Sequence, residues 1–141
     1  MTAGARPPEL VEEDNAAGLA CCIARIEEIQ GLGVRPDWWK LPAFSDAAAY
    51  DGLEAIIKRS NDFCRGILLL GAGRDLAALE QSFRAAADRP FVRGFAVGRT
   101  LLLEPAKAWL AGRIDDAELA EAIEAGLRRL VQAWPDLVAA A

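Results

Sequence analysis

The sequence predicts an α/β fold with three parallel strands, in the order α-β-α-β-α-β-α-α. Short apolar runs alternate with amphipathic segments, and this pattern is typical of βαβ crossovers in a parallel sheet. The run Gly66–Leu70 is continuously apolar rather than alternating, as expected of a strand that is buried on both faces. Together the two observations predict a parallel sheet whose strands are joined by right-handed helical crossovers.

The first helix and strand are defined by a cap, a period and a proline. Asp14 or Asn15 can cap a helix that runs to about Gln30, because apolar residues recur there at three- and four-residue steps. A short apolar run, Trp38–Leu41, then predicts a strand, and Pro42 closes it.

The central part of the chain predicts a helix, a strand and a second helix. Ser45 or Asp46 can cap a helix over about residues 46–59, whose apolar residues share one face. The strand Gly66–Leu70 follows, and another helix is expected over about residues 75–87, before Arg89-Pro90 breaks it.

The last third predicts one strand and two helices. The third strand is expected over about residues 92–97. Pro105 suits the first turn of a short helix over residues 105–111. Asp115 or Asp116 can cap the last helix, which is expected to run to about Ala133.

Length and composition limit the class of protein. The chain has 141 residues, which suits one domain, and we expect a flexible arm at residues 1–13, a domain at 14–134 and a frayed tail at 135–141. Hydrophobic residues make up 53% and the net charge is -5, which argues against disorder, nucleic acid and an anionic membrane. With no long apolar run and no leader, a cytoplasmic protein is expected.

Missing residue types exclude several chemistries. The chain has 0 histidines, so it cannot carry a Ser-His-Asp triad, a Cys-His nucleophile or a His-ligated zinc ion. Its 3 cysteines are interpreted as buried apolar thiols, and no metal or cofactor is predicted. Trp109 and Trp134 are expected to be packing anchors, and the acidic residues 115, 116 and 118 to be helix caps.

Lys40 is the first candidate for chemistry. It lies near the carboxyl end of a predicted strand, where α/β folds collect catalytic groups. A lysine inside an apolar strand is desolvated, which penalises the ammonium form and leaves more free amine to attack a carbonyl. A lysine that extends from a strand end into solvent is an equally good interpretation of the same position.

Two loops form the second candidate. Gly71-Ala72-Gly73 and Gly98-Arg99 each follow a strand and precede a helix. Glycines let the backbone approach a phosphate, helix N-termini present free N–H groups, and arginine offers a planar set of donors. An ordinary tight turn explains the first loop alone. Both features at successive strand ends shift the balance toward phosphate binding.

Four segments of the chain together carry a resemblance to a known family, namely residues 33–41, 64–71, 92–100 and 108–116. Through them the chain resembles the aldolase-like domain of unknown function that is fused to the sugar kinase of bacterial myo-inositol catabolism, 5-dehydro-2-deoxygluconokinase. The resemblance covers roughly residues 17–134. That domain is similar to class I aldolases of the tagatose-bisphosphate type, which are eight-stranded βα barrels.

The resemblance implies the C-terminal portion of a (β/α)8 TIM barrel. It implies that Lys40 matches the Schiff-base lysine on the sixth strand, that Gly71 and Gly73 match the phosphate loop after the seventh, and that Gly98 and Arg99 match the loop after the eighth. The implied activity is a lyase reaction on a keto-sugar phosphate such as 2-deoxy-5-keto-gluconate 6-phosphate.

Two functions stay open from the sequence. One is a class I aldolase-like enzyme that needs a partner chain or a second copy to complete the barrel. The other is a non-catalytic truncated barrel that binds sugar phosphate or serves as an assembly module. Pro42 favours the second, since these aldolases usually carry an acidic residue at that position. In both cases the open edges of a three-stranded sheet predict a homo-oligomer or a partner chain.

Overall fold

The computed structural model describes residues 14–134, and within them the chain is a mixed α/β protein of five helices around a three-stranded parallel sheet. The arm and tail expected at residues 1–13 and 135–141 lie outside the described residues. The elements follow the predicted order and are α1 (Ala16–Gly31), β1 (Trp38–Pro42), α2 (Ala47–Ser60), β2 (Gly66–Leu70), α3 (Leu76–Ala86), β3 (Val92–Ala96), α4 (Arg99–Leu110) and α5 (Asp116–Ala133).

The sheet has the strand order β1-β2-β3, and both pairs are parallel. In the register, Lys40 lies beside Leu68, and Pro42 beside Leu70. Leu68 and Leu70 in turn lie beside Gly94 and Ala96, after a register shift between Ile67 and Leu68. All three strands therefore end at one edge, where the loops that follow them meet.

The two faces of the sheet are buried to different extents. One face packs on the helices, and Ile67 and Leu69 of β2 are fully buried there. The other, which we call the open face, is only partly covered. Its members are Trp38, Lys40, Leu68, Leu70, Gly94 and Ala96. The expectation that β2 is buried on both faces is therefore wrong for the described residues, because no helix layer covers Leu68 and Leu70.

Side-chain caps fix the helix starts where the sequence predicts them. The Asn15 side chain accepts a hydrogen bond from the backbone N–H of Gly18, at 2.9 Å. Asp46 and Asp75 cap α2 and α3 in the same way. The α5 cap is reciprocal, since Asp115 accepts from the Glu118 N–H and the Glu118 side chain accepts from the Asp115 N–H, both at 2.9 Å. These carboxylates are caps, as expected.

Helix α4 differs from its prediction. The sequence suggests that Pro105 begins a short helix, but the helix begins at Arg99 and continues through Pro105. Proline lacks the N–H that would reach the Leu101 carbonyl, so it removes one intrahelical hydrogen bond. Leu101 is nevertheless buried against α5, and its Cδ2 would lie 3.0 Å from a Cβ at Gly126. Packing between α4 and α5 thus outweighs the local preference of proline.

The end of α5 is anchored by aromatic packing. The Trp134 ring meets Phe83 edge-on at 4.9 Å between centroids and lies 5.6 Å from Phe95. Trp134 is therefore a packing residue, as expected. Trp109 is 41% exposed, and its indole N–H donates to Asp116 at 2.7 Å, so it anchors by a hydrogen bond rather than by burial.

The three cysteines are free thiols, and Cys22 and Cys64 are buried while Cys21 is half-buried. Burial raises the pKa of Cys22 to about 11. Because the thiolate is the reactive form, Cys22 is an apolar packing residue rather than a nucleophile.

Candidate functional site

The loop between β2 and α3 is a tight turn at the edge where the strands end. The Arg74 N–H donates to the Gly71 carbonyl at 2.9 Å, and the two residues between them, Ala72 and Gly73, have φ values of 51° and 80°. Positive φ at both central positions is the geometry of a type I′ turn, which glycine adopts freely and alanine at a cost of about 1 kcal/mol or more. The turn leads directly into the start of α3.

Gly71 lets this turn approach the loop that follows β3. A Cβ at Gly71 would lie 2.5 Å from Val97 Cγ1 and 2.7 Å from Thr100 Oγ1, which is closer than real contacts allow. Only glycine therefore permits this contact between the two loops. The Thr100 hydroxyl is buried there and has no hydrogen-bond partner among residues 14–134.

Arg74 ties three segments together beside the turn. Its guanidinium donates to the Ala43 carbonyl at 2.5 Å, to Asp14 at 3.0 Å and to Ser82 Oγ at 3.3 Å. The other oxygen of Asp14 accepts from the Ser45 N–H at 2.8 Å. Because charged hydrogen bonds are the stronger kind, this network holds the loops after β1 and β2 against the start of α1.

Two helices begin beside these loops, and their caps differ. Gly98 is the N-cap of α4 and makes no side-chain cap hydrogen bond, while its carbonyl accepts from the N–H groups of Leu101 and Leu102. At α3, the Asp75 side chain accepts from the Ala78 N–H at 2.7 Å. The N-terminal ends of both helices therefore lie at this edge of the sheet.

These loop and helix ends open into one cleft of about 540 Å³, which we call the helix-end cleft. It lies between the start of α3, the first turns of α4 and the middle of α5. The residues that line it are Gly73, Arg74, Asp75, Leu76, Ala77, Arg99, Thr100, Leu101, Leu103, Glu104, Pro105, Ala122, Gly126 and Arg129.

Cations outnumber anions in the helix-end cleft. Three arginines line it against two carboxylates, Asp75 and Glu104. Asp75 is engaged as a cap, and Glu104 pairs with Lys107 at 2.7 Å. Arg129 pairs with Glu80, and this pairing holds the pKa of the Glu80 carboxyl below its usual value. The lining residues thus carry one more positive than negative charge, and two of the three arginines pair with carboxylates outside the lining, Asp14 and Glu80.

Lys40 lies in a different cleft. It lines a groove of about 180 Å³ between α1 and β1, which we call the edge groove. The lining residues are Gly18, Cys21, Cys22, Arg25, Ile26, Ile29, Trp39, Lys40, Leu41, Pro42 and Leu70.

The Lys40 side chain is exposed on the open face, so the chain by itself does not supply the desolvation that the sequence suggested. Its amine has no hydrogen-bond or ion-pair partner among the described residues, whereas Lys58 pairs with Glu54 at 2.5 Å and Lys107 with Glu104 at 2.7 Å. Lys40 is therefore the lysine whose amine is available to a ligand.

The structure brings some of the predicted site residues together and separates others. Gly73 and Arg99 line the same helix-end cleft, with Gly71 and Gly98 in the loops beside it. Lys40 lies apart from them in the edge groove. Sequence reasoning missed Arg74, which follows Gly73 directly, and Arg129, which reaches the cleft only because α5 crosses α3.

Residues 14–134 lack two features that would indicate particular functions. These residues contain no group of three or more cysteine, aspartate or glutamate residues arranged to hold a metal ion. Over the same residues, no helix combines the length and apolar character needed to cross a membrane.

The protein is thus of the mixed α/β class, with a three-stranded parallel sheet. Two clefts, the helix-end cleft and the edge groove, lie at or near the edge where the strands end. The chain belongs to the family described as "Uncharacterized protein conserved in bacteria (DUF2090)", whose model matches residues 8–138. Comparison with curated proteins and with solved structures found no significant match.

Proposed function

We propose that the protein binds a phosphorylated keto-sugar with the phosphate in the helix-end cleft. The observation that carries the proposal is that Gly73 and Arg99, singled out from separate loops, line one cleft together with the start of α3. The resemblance to aldolase-like domains supports a keto-sugar phosphate, such as 2-deoxy-5-keto-gluconate 6-phosphate, as the ligand.

The physical basis is the convergence of two helix N-termini and of arginine side chains. The N-terminus of a helix carries about half a positive charge, and two helices begin beside this cleft. Arginine adds planar pairs of N–H donors, which fit phosphate oxygens. Arg74 and Arg129 are held in place by Asp14 and Glu80, and Arg99 lies at the start of α4.

Phosphate binding is tested with an alanine substitution at Arg99. We expect Arg99→Ala to weaken the binding of inorganic phosphate and of fructose 1,6-bisphosphate by about tenfold, the loss of one charged hydrogen bond of about 1.4 kcal/mol. Isothermal titration calorimetry at low salt measures both ligands. Arg113→Ala is the matched control, because Arg113 is exposed and does not line the cleft. Equal affinities in all three proteins would contradict the proposal.

A second candidate function is Schiff-base chemistry at Lys40. The supporting observation is its unpaired amine on the open face, two residues before the end of β1. In this proposal the three strands match the last three of a (β/α)8 barrel, and a partner chain or second copy completes it. The amine attacks the ketone, water leaves, and the iminium accepts the electrons of the breaking carbon–carbon bond.

Borohydride trapping tests this second function. Dihydroxyacetone phosphate and sodium borohydride should convert the Lys40 amine into a stable secondary amine, because hydride reduces the iminium. Peptide mass spectrometry locates the adduct, and Lys58 and Lys107 in the same digest are the controls. An adduct spread evenly over the three lysines, or none, would leave a phosphate-binding module without this chemistry. Lys40→Ala should leave phosphate affinity intact.

A further inference from the structure

Among residues 14–134, the outer edge of β1 carries backbone groups that pair with no other strand. The Asp37 carbonyl accepts from the Arg65 N–H at 2.7 Å, so the backbone groups of Asp37 point toward β2. The backbone N–H and C=O groups of successive residues point to opposite sides of a strand, so those of Trp38 and Lys40 point away from β2. The backbone of Pro42 also faces away from β2, so its missing N–H removes no hydrogen bond from the β1–β2 pair.

The edge groove runs along this unpaired edge. One wall is the apolar face of α1, which includes Cys22, Ile26 and Ile29, and the other wall is β1. Trp39 contributes a buried indole, 7% exposed, whose N–H has no hydrogen-bond partner among the described residues. A groove with apolar walls, free strand donors and an unsatisfied buried N–H has the properties of a binding surface that lacks its occupant.

The charge at the groove identifies the chemistry of that occupant. Two cationic residues line it, Arg25 and Lys40, and no acidic residue does. Arg25 pairs with Glu28 at 2.7 Å, whereas Lys40 has no such partner within residues 14–134. An occupant with a carboxylate close to Lys40 would complement this charge.

We propose that the edge groove binds an extended segment of a partner chain that carries apolar and acidic side chains and joins the sheet as a fourth strand beside β1. Strand addition satisfies the outward N–H and C=O groups of Trp38 and Lys40, which a small apolar ligand could not do. Apolar side chains of the segment contact α1, and an acidic one faces Lys40. The proposal is independent of phosphate binding, and it assigns the Lys40 amine to a carboxylate of the partner rather than to Schiff-base chemistry.

Hydrogen exchange on the full chain tests strand addition. The probe is the acetylated and amidated peptide Glu-Val-Glu-Leu-Glu-Val. We expect it to slow exchange of the Trp38 and Lys40 amides by about tenfold or more, while the amides of Trp39 and Leu41, which face β2, change little. The same peptide with lysine in place of glutamate should bind about tenfold more weakly.

A pair of charge reversals supplies the control. Lys40→Glu should weaken binding of the glutamate peptide by about tenfold, while Lys107→Glu, on exposed α4, should leave it within twofold. Both variants are checked by circular dichroism. Binding without protection of the Trp38 and Lys40 amides would overturn the proposal. Protection of both amides in the free protein would also overturn it, since a segment of the protein itself would then fill the groove.

Discussion

At the scale of single residues, Gly66 is the position where the backbone most clearly requires glycine. Its φ is +140°, and a Cβ there would lie 2.4 Å from the backbone carbonyl oxygen of Phe91. That carbonyl also accepts from the Ile67 N–H at 2.8 Å, so it cannot move without breaking the β2–β3 pairing. We expect Gly66→Ala to lower the free energy of unfolding by about 2–3 kcal/mol, measured by urea denaturation.

Gly52 is the matched control for this prediction. It lies inside α2, and a Cβ there would meet nothing within 4 Å. Gly52→Ala should therefore raise the free energy of unfolding by about 0.5–1 kcal/mol, because alanine loses less backbone entropy in a helix. If the two substitutions changed stability equally, the close approach at Gly66 would be wrong.

Some properties of the candidate site residues follow from the sequence, and others depend on the tertiary structure. Gly71, Gly73, Gly98 and Arg99 could be selected from the sequence because each follows a strand, and the ends of parallel strands meet at one edge. The exposure of Lys40 could not be predicted, because it depends on whether anything covers the open face. Neighbouring residues along the chain do not decide that.

At the scale of elements, the loop from β1 to α2 is held by the buried Tyr50 side chain in addition to Arg74 and Asp14. The Tyr50 hydroxyl donates to the Phe44 carbonyl at 2.6 Å and accepts from the Phe44 N–H at 2.9 Å. Burial raises the pKa of Tyr50 to about 12, above its ordinary value of 10.0. The folded state thus retains the proton more tightly than the unfolded chain does.

This shift predicts loss of stability in alkali. The contribution of Tyr50 is complete below about pH 10 and is lost as the pH rises through 10 toward 12, by about 3 kcal/mol in total. Cys22, with its pKa raised to about 11, adds a decrease that begins near pH 9. Urea denaturation at several pH values measures both.

Tyr50→Phe separates the two contributions. It should cost about 1–3 kcal/mol at neutral pH, because the buried N–H and carbonyl of Phe44 lose their partner. The variant should then lose less stability than the parent between pH 10 and 12. An unchanged alkaline slope would show that Tyr50 does not titrate in that range.

Element boundaries were well predicted where a local signal exists. Of the alternatives that the sequence offered, Asn15, Asp46 and Asp115 are the N-caps, since each cap is a contact within four residues of chain. Asp75, where the third helix was expected to begin, is the N-cap of α3. The predicted start of α4 at Pro105 was wrong, because the prediction relied on that proline alone and the helix begins at Arg99. The burial of Leu101 against α5 is a long-range contact that no local pattern reveals.

At the scale of the whole molecule, the described residues 14–134 leave apolar surface uncovered. Within them the outer edges of β1 and β3 pair with no further strand, and the open face is half-buried. Helix α4 exposes large apolar side chains, namely Leu102, Leu103, Trp109 and Leu110. A homo-oligomer therefore remains our prediction. Sedimentation at micromolar concentration should give a mass above the 15.1 kDa of one chain.

A charged substitution on α4 locates the contact. Leu110 is 76% exposed, so Leu110→Glu should not disturb folding but should shift the assembly toward the monomer. Leu32 is 77% exposed and lies after α1, so Leu32→Glu is the control and should leave the mass unchanged. A parent protein that sediments as a monomer would contradict the prediction.

The sequence by itself determined the order of helices and strands, the caps and the glycines at the strand ends. These depend on periodicity and on hydrogen bonds between near neighbours, which are properties of short segments. Only the tertiary structure decided that Arg74 joins three segments, that Arg129 reaches the cleft beside Arg99, and that Lys40 faces an uncovered groove. Those facts depend on which distant segments pack together, and that follows from burial summed over the whole molecule.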